Sequence, residues 1–274
     1  MKLISFCVFG EKELYTEGVI ANATLVPTIY PGWKTRVYAG DDVCKTIIAR
    51  LKVLPDTEVV IYPRSKWTGR SAQILRFLPA GEPGIDAILV RDADSRVNTR
   101  ESMAVAEWMS TTGTKYHLMH EAMHDDRYGP IMGGMWGARR VGKDMINCAD
   151  VEDAPCPGLI EAMKDFVRQG HGDAYGDDMA FLKIFLAPQI TEENCVHHVD
   201  GDISRSIGVL RTRRYPFPRA LYKGFVGQPI TCNCAASAFV AEGCPHVSVA
   251  LPGGALSRIS NDSMIVGAIG SFLN

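Results

Sequence analysis

The sequence predicts an α/β protein built on a mixed, mainly parallel sheet with helices on both faces. Short apolar runs alternate with helical patterns through the first third of the chain, which is the order of elements in a parallel sheet. The fourth apolar run, 85–90, leads directly into Arg91-Asp92-Ala93-Asp94, and ligands of such sheets bind where the strands end. The 274 residues, of which 46% are hydrophobic, are enough to bury one large core.

The first seven elements follow from local patterns. Four short apolar runs have the length and flanks of buried strands, at 3–9, 35–39, 58–62 and 85–90. Helices are predicted between them, at 13–23, 43–54 and 71–78. In the second of these helices, Val43, Ile47 and Leu51 repeat at helical spacing. We expect 27–33 to be a loop.

The rest of the chain has fewer strand signals. Further helices are predicted at 100–110, 159–169 and 177–186. A strand is expected at 116–119, and 132–136 is either a strand or a loop interrupted by glycines. From Gly227 onward the sequence is rich in Gly, Ala, Ser and Cys and holds a single basic residue. We therefore predict one domain over 1–228 and a C-terminal appendage of uncertain structure over 229–274.

Bulk composition limits the class of partner and the location. A net charge of −2 and a pI near 6.4 give no reason to expect a polyanionic partner, so nucleic acid is not a predicted ligand. No apolar run reaches the roughly 18 residues that a membrane-spanning helix needs. The first apolar run lacks a cleavage pattern, and the eight scattered cysteines are expected to be reduced thiols. We expect an intracellular protein, in the cytoplasm of the producing or host cell.

Two carboxylates one residue apart, Asp92 and Asp94, follow the fourth predicted strand. Their oxygens suit a hard divalent cation such as Mg²⁺ or Mn²⁺, which would also take oxygens from a diphosphate. Aspartate is common in turns, so a solvated turn is the alternative. The position after a buried strand of a parallel sheet favours the cation site.

A second acidic pair, Asp177 and Asp178, falls where a helix is predicted to begin. Carboxylates at that point are stabilised by the free amides and by the helix dipole, so helix capping is one explanation. A carboxylate held there is also able to accept a proton from an acceptor hydroxyl. One of the two can cap the helix while the other faces the site, and the sequence leaves open which does which.

Two adjacent histidines, His197 and His198, come after that helix. A neutral imidazole can complete a cation site that already holds two carboxylates. The alternative is a histidine beside a strand with no part in binding.

A glycine-rich segment, 133–137, surrounds two large side chains with three glycines. Glycine lets the backbone approach a ligand closely, so Gly133 and Gly134 are candidate ligand contacts. A bulged strand with a core tryptophan is the alternative.

Arginines lie at the ends of two predicted strands. Arg64 and Arg70 follow the third strand, and Arg91 immediately precedes the acidic pair. The forked donors of arginine suit phosphate, so these residues are candidates for contacts with a diphosphate. A solvated basic face is the alternative.

Taken in order, these motifs resemble those of a GT-A type glycosyltransferase. The resemblance is carried by four segments, namely Arg91-Asp92-Ala93-Asp94-Ser95-Arg96, Gly133-Gly134-Met135-Trp136-Gly137, Tyr175-Gly176-Asp177-Asp178 and His198. Over 1–228 the chain is similar to small enzymes of that class encoded by large algal viruses and by microbial surface-polysaccharide loci. The resemblance implies a GT-A (Rossmann-like) fold.

The same resemblance implies roles for the motif residues. Asp92 and Asp94 would bind Mn²⁺ or Mg²⁺ together with the donor diphosphate. His198, or less favourably His197, would be a further metal ligand. The glycine-rich segment would lie beside the donor sugar.

The chain departs from the family pattern at two places. Met119-His120-Glu121 stands where relatives often carry Met-Arg-Asp, so an arginine contact is missing or comes from elsewhere. Asp177-Asp178 stands where many relatives have Asp-Gln, which leaves the handling of the sugar open.

The predicted function is metal-dependent transfer of a hexose or pentose from a UDP- or GDP-linked donor to a hydroxyl of an oligosaccharide or glycoprotein. An inverting enzyme would need Asp178 or Asp177 as base, whereas a retaining enzyme would not. A nucleotidyltransferase acting on a sugar phosphate is one alternative, although no glycine-rich loop with a lysine follows the first strand. A non-catalytic glycan-binding protein is the other, and the presence of both Asp92 and Asp94 argues against it.

Overall fold

The computed structural model describes residues 1–121, 129–142, 145–146, 157–172, 174–200, 210, 212–218 and 227. The predicted appendage over 229–274 lies outside these residues, and the domain boundary at 228 therefore stays a prediction.

One sheet of eight strands organises the described part of the chain. The strands are β1 Lys2–Val8, β2 Lys34–Gly40, β3 Thr57–Tyr62, β4 Ala87–Val90, β5 Tyr116–Glu121, β6 Trp136–Arg139, β7 Cys195–Asp200 and β8 Arg214–Pro216. Their order in the sheet is β3-β2-β1-β4-β6-β5-β7-β8. Neighbours are parallel except at β6, which is antiparallel to both β4 and β5. The predicted mixed, mainly parallel sheet is confirmed.

Helices cover both faces of this sheet, as predicted. The α-helices are α1 Glu13–Ile29, α2 Lys45–Lys52, α3 Thr99–Ser110, α4 Pro157–Arg168 and α5 Asp177–Phe185, and 3₁₀ helices span Ser71–Gly81 and Ala187–Gln189. One apolar core lies between the sheet and α1, α2 and α3. The other lies between the sheet and the long 3₁₀ helix, α4 and α5. Because β4 is buried on both faces, its sequence is a continuous apolar run.

The first helix is longer than the sequence predicted. It was expected to end at residue 23, with a loop from Pro27, yet α1 continues to Ile29. Pro27 lies in its last turn, where the missing N–H removes a single hydrogen bond, the one to Ala23. Val26 and Tyr30 are both buried, and the Tyr30 N–H donates to the Val26 carbonyl at 2.8 Å. Packing of this last turn therefore outweighs the local effect of the proline.

Strands β5 and β7 are joined by two pairs of buried histidines. His117 Nε2 lies 2.9 Å from His198 Nδ1, and His120 Nδ1 lies 2.8 Å from His197 Nε2. Side chains alternate along each strand, so the two pairs lie on opposite faces of the sheet. Burial lowers the pKa of His197 to about 3, with further lowering from the Arg214 and His198 charges. Burial also holds the pKa of His117 well below its usual value.

These histidines predict a loss of stability in acid. In the unfolded chain a histidine takes up its proton near pH 6.5, whereas folded His197 stays neutral down to about pH 3. Between pH 3 and pH 6.5 the unfolded state therefore binds more protons than the folded state. The contribution of His197 to the unfolding free energy is fully present above pH 6.5 and decreases as the pH falls. We expect His197→Gln to reduce the slope of unfolding free energy against pH by up to about 1.4 kcal/mol per pH unit.

Urea denaturation at pH 7 and at pH 5 measures this slope. His171→Gln is the matched control, because it makes the same substitution at an exposed histidine on the loop before α5. Equal slopes for wild type and His197→Gln would contradict the expectation.

Among the helices of the described residues, none combines the length and apolarity that a bilayer crossing requires.

Candidate functional site

The predicted acidic pair lies at the edge of the sheet where the parallel strands end. Strand β1 lies between β2 and β4, so the chain order reverses at the β1–β4 boundary. Open sheets of this kind have their ligand crevice outside the carboxyl ends of strands at such a reversal. Asp92 and Asp94 follow β4 directly, and Gly133 and Gly134 come just before antiparallel β6, which begins at this same edge.

Helix α1 holds the turn that carries the acidic pair. A Cβ on Gly18 would lie 2.1 Å from the Ala93 carbonyl oxygen, so the helix backbone contacts the turn directly. One turn later, Asn22 Nδ2 donates to the Ser95 carbonyl at 2.9 Å, and its Oδ1 accepts from the Val97 N–H at 3.0 Å. The turn is thereby fixed from the side of α1.

A buried arginine that the sequence did not single out joins the two acidic motifs. Arg76, on the long 3₁₀ helix, donates through Nη1 to Asp92 and through Nη2 to Asp178 Oδ2 at 2.6 Å. Only 5% of its side chain is exposed. Burial disfavours its charge, but the Asp92 and Asp178 carboxylates outweigh that effect and raise the pKa of Arg76. Three separate segments of the chain therefore meet at one guanidinium.

The two carboxylates of the acidic turn repel each other. Burial, and next the charge of Asp92, raise the pKa of Asp94 to about 6. Burial likewise raises the pKa of Asp178, while the Arg76 charge opposes this. A divalent cation between Asp92 and Asp94 would relieve the repulsion, and their hard oxygen donors are those that Mg²⁺ and Mn²⁺ prefer.

The glycine-rich segment lies against the acidic side chains. A Cβ on Gly134 would stand 2.1 Å from Asp92 Oδ2, and one on Gly133 would stand 2.2 Å from Asp178 Oδ2. No side chain larger than hydrogen fits at either position while the carboxylates keep their places. Both glycines are thus required by the acidic groups themselves, whatever ligand the site takes.

The structure separates the positions of Asp177 and Asp178. Asp177 Oδ2 accepts from the Gly172 N–H at 2.5 Å and the Ala174 N–H at 2.9 Å, so it closes the loop before α5. Asp178 is buried and turned towards Arg76. Of the second acidic pair, Asp178 is therefore the carboxylate that lies beside Asp92.

The three candidate arginines have different surroundings. Arg91 is fully buried and pairs with Glu101 at 3.3 Å, so it lies in the core and not at the site. Arg64 donates to Asp42 Oδ2 at 3.1 Å and to the Gly69 carbonyl at 3.0 Å, which commits it to neighbouring loops. Arg70 is exposed, with its guanidinium 5.1 Å from the ring centroid of Tyr175.

The predicted histidine ligand is not brought to the acidic pair. His198 lies on β7, three strands from β4, a separation of roughly 14 Å at the usual strand spacing. Its ring atoms lie 2.9 Å from His117 and 3.3 Å from Glu107 Oε2 instead. His197 pairs with His120 on the other face. Within the described ranges, no group of three or more His, Cys, Asp or Glu side chains is arranged to hold a metal ion.

The residues that sequence reasoning missed had weak local signals. Arg76 is a charged residue inside the apolar run Ile74-Leu75-Arg76-Phe77-Leu78. Gly18 and Asn22 interrupt a predicted helix with a glycine and a buried polar side chain. Each of these three residues lowers stability at its position unless a tertiary contact requires it. Such a locally unfavourable residue is the signal by which sequence reasoning could have found them.

No family model matches the chain, and no curated protein matches it. Among solved structures, the galactosyltransferase LgtC in complex with donor and acceptor sugar analogs is 11% identical, with a TM-score of 0.44, over 68% of this chain and 70% of that one. Glucosyl-3-phosphoglycerate synthase from Mycobacterium tuberculosis, in complex with Mn²⁺, UDP-glucose and phosphoglyceric acid, is 12% identical, with a TM-score of 0.39, over 73% and 69%. Both scores describe a partial likeness of the backbones alone.

Adding a methyl group at Gly134 tests the contact with Asp92. We expect Gly134→Ala to displace the Asp92 carboxylate, and any Mn²⁺ affinity of the acidic turn should fall by roughly tenfold or more, the scale seen when a metal ligand loses its orientation. Titration calorimetry with Mn²⁺ measures the change. Gly113→Ala is the control for the strain of the substitution itself. At its φ of 79° an alanine costs about 1 to 2 kcal/mol of stability, but nothing lies within 4 Å of the new Cβ, so Mn²⁺ affinity should not change. Equal Mn²⁺ affinity in wild type and Gly134→Ala would refute the contact.

Removing the buried cation tests the junction at Arg76. Arg76→Gln leaves Asp92 and buried Asp178 facing each other without a counter-charge, and we expect it to lower unfolding free energy by about 3 kcal/mol. Arg76→Lys keeps the charge but loses the fork, so its loss should be intermediate. Denaturation at pH 7.5 measures both, and part of the loss should return at pH 5, because burial raises the pKa of Asp178 and its protonation removes one of the two charges. An Arg76→Gln variant as stable as wild type would contradict this role of Arg76.

Proposed function

We propose that this chain is a metal-dependent glycosyltransferase that moves a hexose or pentose from a UDP- or GDP-linked sugar to a hydroxyl of an oligosaccharide or glycoprotein. The proposal rests chiefly on one observation: Asp92 and Asp94 stand at the reversal of strand order, and the Arg76 guanidinium joins Asp92 to Asp178. Paired carboxylates at such a point suit a cation that carries a diphosphate.

Asp92 and Asp94 are the proposed cation ligands. The bound Mn²⁺ or Mg²⁺ would neutralise the charge that develops on the nucleoside diphosphate as it leaves. The chain's own part is to hold two oxygens in a fixed turn, which Gly18 and Asn22 support through their contacts with residues 93–97. The mutual repulsion of the two carboxylates supports the same role, since a cation relieves it.

Asp178 is the carboxylate proposed to face the transferred sugar. Its Oδ2 accepts from Arg76 at 2.6 Å and its Oδ1 from the Met179 N–H at 2.9 Å, so the group is fixed before any ligand arrives. A fixed carboxylate can orient a sugar hydroxyl, and in an inverting reaction it would accept the proton of the acceptor hydroxyl. Asp177 is proposed to act on the loop and not on the substrate.

Arg70 is the arginine proposed to contact the donor diphosphate. It is exposed, while Arg64 is engaged with Asp42 and two carbonyl groups and Arg91 lies in the core. Gly133 and Gly134 are proposed to line the sugar end of the site, beside the carboxylates they contact.

Binding of a panel of UDP- and GDP-sugars tests the proposal. We expect one donor to bind in the presence of Mn²⁺ or Mg²⁺ and not with EDTA, because the diphosphate needs the cation. Asp94→Asn should weaken that binding by at least about 100-fold. Loss of a residue that merely supports a metal ligand lowers metal affinity by up to about 100-fold, and loss of a ligand itself should lower it by no less. Isothermal titration gives the affinities, and release of nucleoside diphosphate gives turnover.

Asp165→Asn is the matched control, because Asp165 is an exposed carboxylate of α4 paired with Arg168 at 2.5 Å. Absence of binding by every nucleotide sugar to the folded protein with metal present would exclude the transferase. Release of pyrophosphate from a nucleoside triphosphate and a sugar phosphate would identify a nucleotidyltransferase instead. Binding without any turnover would favour the non-catalytic alternative.

A further inference from the structure

Strand β3 forms one edge of the sheet and is open to pairing. It stands at the end of the strand order, so within the described ranges only β2 lies beside it. Its sequence, Thr57–Tyr62, is rich in β-branched residues and holds one charged residue and no proline. The opposite edge, β8, has three residues, among them Arg214 and Pro216, and such features keep an edge strand from pairing. Of the two edges, β3 is therefore the one that can accept another strand.

The backbone of β3 offers alternate residues to its open side. At its start the Asp56 carbonyl accepts a hydrogen bond from the second residue of β2 at 2.8 Å. At its end the Tyr62 carbonyl accepts one from the residue after β2 at 3.0 Å. Successive residues of a strand point their N–H and C=O groups to opposite sides, so the backbone groups of Thr57, Val59 and Ile61 turn away from β2. These three residues present a row of donors and acceptors on the open side.

Two exposed apolar residues lie at opposite ends of this strand. Ile61, near the end of β3, is 43% exposed, and Val53, which follows α2 and precedes β3, is 77% exposed. Ile61 shares a face of the sheet with Val59, which packs against the core beneath α2, so both exposed residues lie on the α2 side. The strand rises roughly 13 Å from Thr57 to Ile61. Within one chain the two apolar residues therefore stay apart.

Antiparallel pairing of β3 with β3 of a second copy satisfies this edge. About a two-fold axis at Val59, Thr57 lies opposite Ile61 of the second copy, and each of the three outward residues donates one hydrogen bond and accepts one. Glu58 then lies opposite Val60 of the second copy, so the charged residue does not face its own equivalent. The same pairing carries Ile61 of each copy to the end of β3 that follows Val53 in the other. A second copy thus matches the backbone, the charge and the apolar side chains together.

We propose that β3 is a dimer interface, at which two copies of this chain join their sheets into one continuous sheet. Two-fold dimers are the commonest assemblies of soluble proteins, and they need a surface that is complementary to itself, as this edge is. Cross-strand pairs of β-branched side chains add to the hydrogen bonds. The candidate site follows β4, which is separated from β3 by β1 and β2, so each copy keeps its own site. The inference is therefore independent of the proposed function.

The mass of the full chain in solution tests the interface. Light scattering after gel filtration should give twice the 30.0 kDa of one chain for wild type. Ile61→Lys puts a charge into the junction, and Val59→Pro removes an outward N–H without removing a bond to β2, so both should give the mass of one chain. Ile184→Lys is the matched control and should remain a dimer, since Ile184 is 67% exposed on α5. Circular dichroism and thermal unfolding confirm that each variant is folded.

Amide hydrogen exchange over 57–61 separates the possible occupants of this edge. Exchange should be slow in the wild-type dimer, and in Ile61→Lys it should be fast at Thr57 and Val59, whose N–H groups then have no acceptor. A wild type with the mass of one chain at every concentration measured would overturn the inference, and so would a dimer that persists in both β3 variants. Slow exchange in a single chain would overturn it too, because another segment of the same chain would then cover the edge.

Discussion

The contact on which the rest of the site depends is the Arg76 guanidinium between Asp92 and Asp178. Arg76 joins the long 3₁₀ helix, on which it lies, to the end of the central strand β4 and to the start of α5. Its two partners are distant in sequence: Asp92 is 16 residues from Arg76 and Asp178 is 102 residues from it. Without the positive charge of Arg76, burying the Asp178 carboxylate beside the acidic turn would be strongly unfavourable. With it, the charged groups can be both close together and largely shielded from water.

Several local features follow from this junction. The backbone at Gly133 and Gly134 can approach the carboxylates only because it has no side chains. Asp177 is free to fix the loop because its neighbour Asp178 is the one held by Arg76. Helix α1 then closes the opposite side of the turn through Gly18. Asp92, Asp177 and Asp178 therefore each have a defined hydrogen-bond partner before a ligand binds.

Strands β1 to β5, the helices and the acidic turn could be predicted because their signals are local, whereas β7 and β8 were not predicted. Apolar runs and helical spacing need only neighbouring residues, and Asp92 and Asp94 follow their strand directly. The role of Arg76 could not be predicted, since its partners are distant in sequence. His198 shows the complementary limit: motif order suggested a metal ligand, whereas strand order separates β7 from β4 by two intervening strands. Arg91, adjacent to the acidic pair in sequence, turns into the core towards Glu101.

The antiparallel strand β6 has a consequence for how such a protein can diversify. Because β6 runs opposite to its neighbours, the connection from β5 to β6 both leaves and re-enters the sheet at the site edge. Apart from Gly133 and Gly134, which the carboxylates require, the sequence of such a connection can vary without shifting the register of the strands it joins. Ligand preference can therefore change through this connection while the proposed cation ligands and the residues that support them stay constant, so specificity and the proposed chemistry can evolve separately.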